Sequence, residues 1–340
     1  MGQGFKQVTR KDVAELAGVS ETVVSYVINN NRYVDKEKRR RVEEAVRQLH
    51  YRPNTIARAL KGKNSNHIVF IADQIITEHF SLLVSELDKR AYDLGYMISL
   101  CSNRNTEQFV GEIISRRYDG VIISSISFPL EFIQQFIDAS IPVVLLQNRD
   151  YSAVHGAGVI DNGLYEGAKE CVRFLQGKGR KNILYIDRFS ARGHFSDMND
   201  LRYRGFVEQM RQSGLSAQPE SRVITGCASD REVAQKVKAY LQAGGRVDAI
   251  FGRNDKLACI AMQAAKDLGY QVPQEIAVVG FDNSTLGQYV TPRITSMETR
   301  REEIAKAAVE MLQQMIGEGR VPAPVGFSTR LIERESTPAD

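Results

Sequence analysis

The sequence predicts a chain of two classes: a small all-α helix-turn-helix head, then an α/β core of two doubly wound parallel-sheet lobes. Three observations carry this reading. Basic charge is confined to one end, since residues 1–63 hold 14 Lys and Arg against 7 Asp and Glu, while the remainder holds 31 against 34. Inside that basic stretch, three short helical patterns succeed one another with minimal connections. Beyond His67, short apolar runs alternate with amphipathic stretches, as buried parallel strands alternate with covering helices. A length of 340 residues also exceeds one ordinary domain.

Thr9-Arg10-Lys11-Asp12 reads as a capping box, with the Thr9 hydroxyl and the Asp12 carboxylate closing on each other's backbone amides. Val13, Leu16 and Ala17 then fall on one helical face, and Gly18 ends the helix in the left-handed conformation that a Cβ disfavours. Ser20 caps a second helix with Val24, Val27 and Ile28 on its apolar side. Asp35 caps a third, with Val42, Ala45, Val46 and Leu49. Two helices joined by so short a Gly-containing turn make a helix-turn-helix unit. The opposite face of the second helix carries Glu21, Thr22, Ser25, Tyr26 and Asn29. Short hydroxyl and amide groups there can reach phosphates and base edges in a major groove, and the local basic excess points to a polyanion. Pro53 breaks the third helix, and Asn54 can cap one more segment ending at Gly62. That segment is below the ~12–15 residues an isolated helix needs, so partners must order it.

In the core, strands are expected at Ile68–Ala72, Met97–Cys101, Val121–Ser125, Val143–Leu146, Ile183–Ile186, Val223–Thr225, Ala249–Phe251 and Ala277–Val279. Helices are expected at Phe80–Leu94, Glu107–Arg116, Leu130–Ile137, Glu166–Leu175, Arg204–Met210, Val233–Leu241 and Leu257–Leu268. Two such series make two lobes, and a ligand belongs at the strand C-termini between them. The expected boundaries are 1–52 for the head, 53–65 for a hinge helix and linker, and 66–340 for the core. Lobe 1 takes 66–161 and 293–320, and lobe 2 takes 162–292 and 321–335.

Other classes lack their signatures. No apolar run approaches the ~18 residues of a membrane span, no leader-like apolar segment opens the chain, and Lys6 stands where myristoylation needs Ser or Thr. A cytoplasmic location is expected. Cys101, Cys171, Cys227 and Cys259 lie apart in apolar surroundings and read as buried thiols. Among His50, His67, His79, His155 and His194 no metal-ligand spacing occurs, and phosphate-loop, dinucleotide and nucleophile-elbow motifs are missing. Neither an enzyme nor a cofactor is expected, and the basic head opposes a plain solute-binding protein.

Val8-Thr9-Arg10-Lys11-Asp12-Val13-Ala14-Glu15-Leu16-Ala17-Gly18-Val19-Ser20, with Val24-Ser25, Asn29 and Tyr51-Arg52-Pro53-Asn54, Ala57 and Leu60, resembles the head and hinge of the lac repressor (LacI/GalR) family. Tyr118-Asp119-Gly120-Val121-Ile122, Arg202-Tyr203-Arg204-Gly205-Phe206, Asn254-Asp255 and Val279-Gly280-Phe281-Asp282-Asn283 extend the resemblance through the core. The resemblance implies a dimeric, effector-controlled transcription regulator, probable repressors being the common type, with a periplasmic-binding-protein-like core. It implies DNA contacts from Thr9, Arg10, Ser20, Thr22, Ser25, Tyr26, Asn29 and Tyr33, and from hinge residues Asn54, Ala57 and Leu60, with Leu60 as a minor-groove wedge. The operator is then a near-palindrome. Effector contacts are implied at Arg202, Asn254 and Asp282, with Phe80, His79 and Gln147 also expected to face the cleft.

This chain departs from the family in places. Tyr26 replaces the Arg that commonly follows Ser25, so a guanine-reading guanidinium is missing there. Thr77-Glu78-His79-Phe80 replaces Asn-Pro-Phe-Phe, and Gln147 replaces a common Asp. A sugar, sugar acid or sugar phosphate is the expected effector class. The anionic members are favoured if two or more of Arg149, Arg188, Arg192 and Arg253 converge. The residues after Leu331 contain no leucine heptad, so a dimer rather than a tetramer is expected.

Overall fold

The structure, a computed structural model, describes residues 8–52, 64–73, 75, 77–188, 190 and 193–338. The chain separates into two compact units, Met1–Ser65 and Asn66–Asp340. Asn54, Ala57, Leu60 and Arg192 lie outside the described residues.

The head is built from α1 (Arg10–Ala17), α2 (Glu21–Asn29) and α3 (Lys36–Gln48). Thr9 accepts from the Asp12 amide while the Asp12 carboxylate accepts from the Thr9 amide at 2.7 Å, so the capping box is complete. Gly18 turns the chain at φ 60°, with the Arg41 guanidinium 3.3 Å from where a Cβ would stand. Ser20 accepts from the Val23 amide and Asp35 from those of Glu37 and Lys38, starting the next two helices. Val13, Ala17, Val24, Val27, Val34, Val42 and Ala45 form the buried centre. Leu16 departs from the expected pattern: it is 48% exposed, and Ala14 takes the inward place. The tight turn at Gly18 brings α2 close, and the small Ala14 side chain fits the narrow gap.

In the core, β1 (His67–Ala72), α4 (Glu78–Asp93), β2 (Met97–Ser102), α5 (Glu107–Ser115), β3 (Gly120–Ser124), α6 (Leu130–Asp138), β4 (Val143–Gln147) and β5 (Gly158–Asp161) make the first lobe. The second holds α7 (Leu164–Gly177), β6 (Ile183–Ile186), α8 (Leu201–Gln212), β7 (Val223–Ile224), α9 (Asp230–Gln242), β8 (Ala249–Gly252), α10 (Asp255–Lys266), β9 (Ala277–Phe281), α11 (Thr285–Tyr289) and β10 (Thr295–Glu298). The chain then returns through α12 (Arg301–Glu318), β11 (Val325–Gly326) and β12 (Arg330–Ile332). The sheets run β11-β5-β4-β3-β1-β2 and β12-β10-β9-β8-β6-β7. All pairings within them are parallel except β10 with β12. Strands β3, β8 and β9 are buried along their whole length, which is why they read as unbroken apolar runs.

The C-terminal third corrects the expected lobe boundaries. Residues 295–298 belong to the second sheet, not the first, because β10 pairs with β9. Thr295 and Ser296 are fully buried there, bonded to Ser336, Thr337 and Asp255. Helix α12 packs on the first lobe through Ile304, Met311, Leu312 and Met315. Gly120 permits this approach, since a Cβ there would lie 2.5 Å from Leu312 Cδ1. Strand β11 then joins the first sheet and β12 the second, so the chain crosses between lobes three times.

Candidate DNA-reading face and ligand cleft

In the head, Thr9, Ser20, Thr22, Asn29 and Tyr33 are exposed, and Arg10, Ser25 and Tyr26 are half-buried. Asn29 Nδ2 donates to the Ser25 carbonyl at 2.8 Å and to its hydroxyl at 3.2 Å, tying two of these groups together one turn apart. The sequence reading did not anticipate Arg32. Its guanidinium lies 5.1 Å over the Tyr26 ring and donates to the Tyr26 hydroxyl at 3.3 Å. A guanidinium is thus carried on α2's exposed face although Tyr26 itself provides none.

In the core, a cavity of about 360 Å³ opens where the strand C-termini of both sheets meet. Phe80, His79, Arg202, Asn254 and Asp282 all line it. Gln147 does not. It ends β4 opposite Asp161, and the next residue, Asn148, faces the cavity because successive strand side chains alternate. Of the four cleft-side arginines, Arg188 and Arg253 line the cavity. Arg149 instead donates to the Ile126 carbonyl at 2.6 Å, and its guanidinium lies 6.0 Å from the Tyr151 ring centre.

Asp282 directly follows β9 with φ 90°, a left-handed backbone that Asp tolerates better than most side chains. Its carboxylate accepts from Arg202 at 2.6 Å, and its carbonyl accepts from Arg301 at 2.6 Å. Burial alone would raise its pKa, but Arg202, His79, Arg253 and Arg301 bring the carboxyl below the ordinary value. Arg202 also donates to the Arg253 carbonyl at 3.2 Å and stacks 4.4 Å from the Phe281 ring centre. From the other lobe, His79 places Nδ1 3.3 Å from Asp282 Oδ1 without making a hydrogen bond. Burial lowers the His79 pKa, so the imidazole is neutral at pH 7. Its ring meets Phe80 edge-on at 5.2 Å. Asn254 caps α10, its Oδ1 accepting from the Leu257 amide at 2.9 Å.

Residues outside the expected set complete the cavity. Asp73, at the end of β1, accepts from Asn103, Ser125 and Ser127 and from the Ile126 amide. Asp255 accepts from the Ser296 hydroxyl at 2.6 Å and from the Ser284 amide, and burial lifts its carboxyl to about 7. Four buried lining atoms make no hydrogen bond within the protein: His79 Nδ1, Asn162 Oδ1, Arg202 Nε and Thr299 Oγ1. Buried polar groups are nearly always satisfied, so such a concentration marks a place where another molecule supplies the partners.

A helix-turn-helix head and a two-lobed core with a polar cleft define a DNA-binding transcription regulator that responds to small molecules. The chain belongs to the lacI family of bacterial regulatory proteins, and it is a regulator rather than an enzyme. The family description "Bacterial regulatory proteins, lacI family" matches residues 9–54, and "Periplasmic binding protein-like domain" matches residues 172–337. The HTH-type transcriptional repressor PurR of Pectobacterium carotovorum is 31% identical over 337 residues, covering 96% of each chain. The PurR of Serratia proteamaculans is 29% identical over the same span. The lac repressor dimer bound to operator and the anti-inducer ONPF superposes with a TM-score of 0.83 at 24% identity, over 98% of this chain and all of that one. A transcriptional regulator CelR–cellobiose complex gives a TM-score of 0.69 at 23% identity, over 97% and 100% of the two chains. Among the described residues, no helix is long and apolar enough to cross a membrane.

Proposed function

We propose that this chain is a cytoplasmic, homodimeric repressor whose affinity for a near-palindromic operator is controlled by a sugar or sugar derivative in the cleft. The observation that carries the effector class is the ring of unmade hydrogen bonds at His79, Asn162, Arg202 and Thr299 around a cavity of small-ligand size. A polyhydroxylated ring offers both donors and acceptors to such a set, and an apolar ligand would leave them unpaired. Arg202, Asn254 and Asp282 are the principal contacts, with Phe80 and His79 approaching from the opposite lobe. Cellobiose, the ligand of the CelR complex, has chemistry of the same kind.

Thr9, Arg10, Ser20, Thr22, Ser25, Tyr26, Asn29 and Tyr33 contact the operator in this reading, and the hinge residues Asn54, Ala57 and Leu60 enter the minor groove. An exposed apolar patch supports dimerisation. Tyr92 (76% exposed) and Leu94 end α4, beside Met97 (62%) and Leu100 on β2, the edge strand of the first sheet. Patches of this kind are covered in working proteins by another chain.

Titration of full-length protein and of residues 66–340 into operator DNA, selected from a random pool, tests the reading. Full-length protein binds with a salt slope of roughly −0.9 per phosphate neutralised, and the truncated form does not bind. Retention of DNA affinity by residues 66–340 would refute the assignment of the head.

A further inference from the structure

Taken one by one, the charges lining the cleft leave a positive remainder. Arg202 donates to Asp282 at 2.6 Å. Arg253 donates twice to Asp200, at 3.1 and 2.8 Å. Lys256 lies 2.6 Å from Asp230. The lining acids are occupied too: Asp73 by four donors of its own lobe, Asp255 by Ser296 and Ser284, and Glu78 by the Thr285 amide. Arg188 differs from all of these. Two residues beyond the end of β6, its guanidinium makes no hydrogen bond among the described residues, and its nearest carboxylate, Asp73, stands 3.8 Å away in the other lobe.

The surroundings keep Arg188 from finding a partner. Asp187 accepts from the Arg188 amide at 2.7 Å, from the Thr225 hydroxyl at 2.7 Å and from the Ser196 amide at 3.2 Å. Asp200 is held by Arg253 and by the Ser196 hydroxyl. The Arg188 side chain is nevertheless only 14% exposed, and burial followed by the neighbouring Arg253 charge lowers its pKa. A guanidinium stripped of water, with its planar fork of donors empty and facing a ligand cavity, matches the two oxygens of a carboxylate or phosphate.

We propose that Arg188 is an anion subsite, and that the effector carries a carboxylate or phosphate which bridges this residue to the hydroxyl-binding groups around Arg202 and Asp282. The inference rests on the cleft reading given above and adds the charge of the ligand.

Thermal melting of full-length protein and its Arg188→Met variant tests it, with inorganic phosphate, glucuronate, galacturonate, gluconate and glucose 6-phosphate as anionic probes and glucose and galactose as neutral ones. Ligand-free Arg188→Met melts at or above the wild type, by up to about 3 °C, because a desolvated charge without a partner has been removed. A lower melting temperature would make Arg188 a structural partner of Asp73 and overturn the proposal. An anionic sugar near a hundred times its Kd raises the wild-type melting temperature by roughly 5 °C and leaves the variant unmoved, and Arg188→Lys retains part of the response. Response to the uronates or to the phosphate ester decides which anion is bound. A neutral sugar that stabilises both proteins equally overturns the anionic inference and leaves the sugar cleft standing. If no sugar acts, the cleft reading fails, and inorganic phosphate decides the subsite alone: selective stabilisation of the wild type supports it, and equal or absent effects on the two proteins overturn it.

Discussion

Asp282→Asn removes one charge from the centre of the cleft and little else. The amide keeps the shape and an acceptor for Arg202, and Asn tolerates the φ of 90° at this position. What is lost is the compensation of the Arg202 guanidinium, whose side chain is 7% exposed and whose other bond is to the Arg253 carbonyl. Removing one partner of a buried pair costs about 3–5 kcal/mol, and the retained acceptor places Asn at the lower end, about 3 kcal/mol. Asp282→Ala additionally forfeits the hydrogen bond and forces a left-handed alanine, adding roughly 2 kcal/mol. At about 2–3 °C per kcal/mol for a unit of this size, the core transition should fall by roughly 6–9 °C for Asn and 10–15 °C for Ala. Calorimetry of the ligand-free protein reads both numbers on the same transition. A loss below about 1 kcal/mol for Asn would mean that Arg202 is compensated elsewhere, and an Ala variant no worse than Asn would remove the backbone and hydrogen-bond contributions.

Other perturbations address separate parts of the chain. At Gly205 in α8 a Cβ would stand 2.4 Å from the Tyr165 carbonyl of α7, so Gly205→Ala should cost roughly 1–3 kcal/mol in urea denaturation. Gly177→Ala, with nothing within 4 Å, should be neutral or slightly stabilising. Burial lifts the Asp255 carboxyl from its ordinary 3.8 to about 7, so the folded chain holds this proton more tightly than the unfolded chain. The contribution of Asp255 is therefore complete below about pH 4 and is lost as pH rises toward 7, and Asp255→Asn should flatten the stability–pH curve by roughly 2–4 kcal/mol across that window. An unchanged slope in the variant would assign the pH dependence to other groups. Leu60→Ala should lower affinity for a selected operator by ~1–3 kcal/mol while leaving random DNA and the salt slope unchanged, measured by competition binding. Equal losses on both DNAs would restrict Leu60 to packing.

The sequence by itself determined whatever is decided within a few residues of itself. Thr9 with Asp12, Gly18, Ser20 and Asp35 mark helix ends because a cap is satisfied by backbone one turn away. The apolar runs of β3, β8 and β9 mark strands because both of their faces are buried. Arg202, Asn254 and Asp282 were found at the cavity because each stands at the end of a recognisable element within a matching motif. Local pattern fell short wherever distant segments choose one another. Strand β10 was invisible because its most buried side chains are the hydroxyls of Thr295 and Ser296, satisfied by Ser336 and Asp255 some 40 residues away. The lobe crossings of α12, β11 and β12 depend on which sheet edge is free, which no periodicity records. The expectation for Gln147 missed Asn148 because one residue of register exchanges the faces of a strand. Arg149 and Arg188 are equally plain arginines in the sequence. Only the tertiary structure decides that the Ile126 carbonyl engages one, while the carboxylates around the other are occupied and its guanidinium is left facing the cleft.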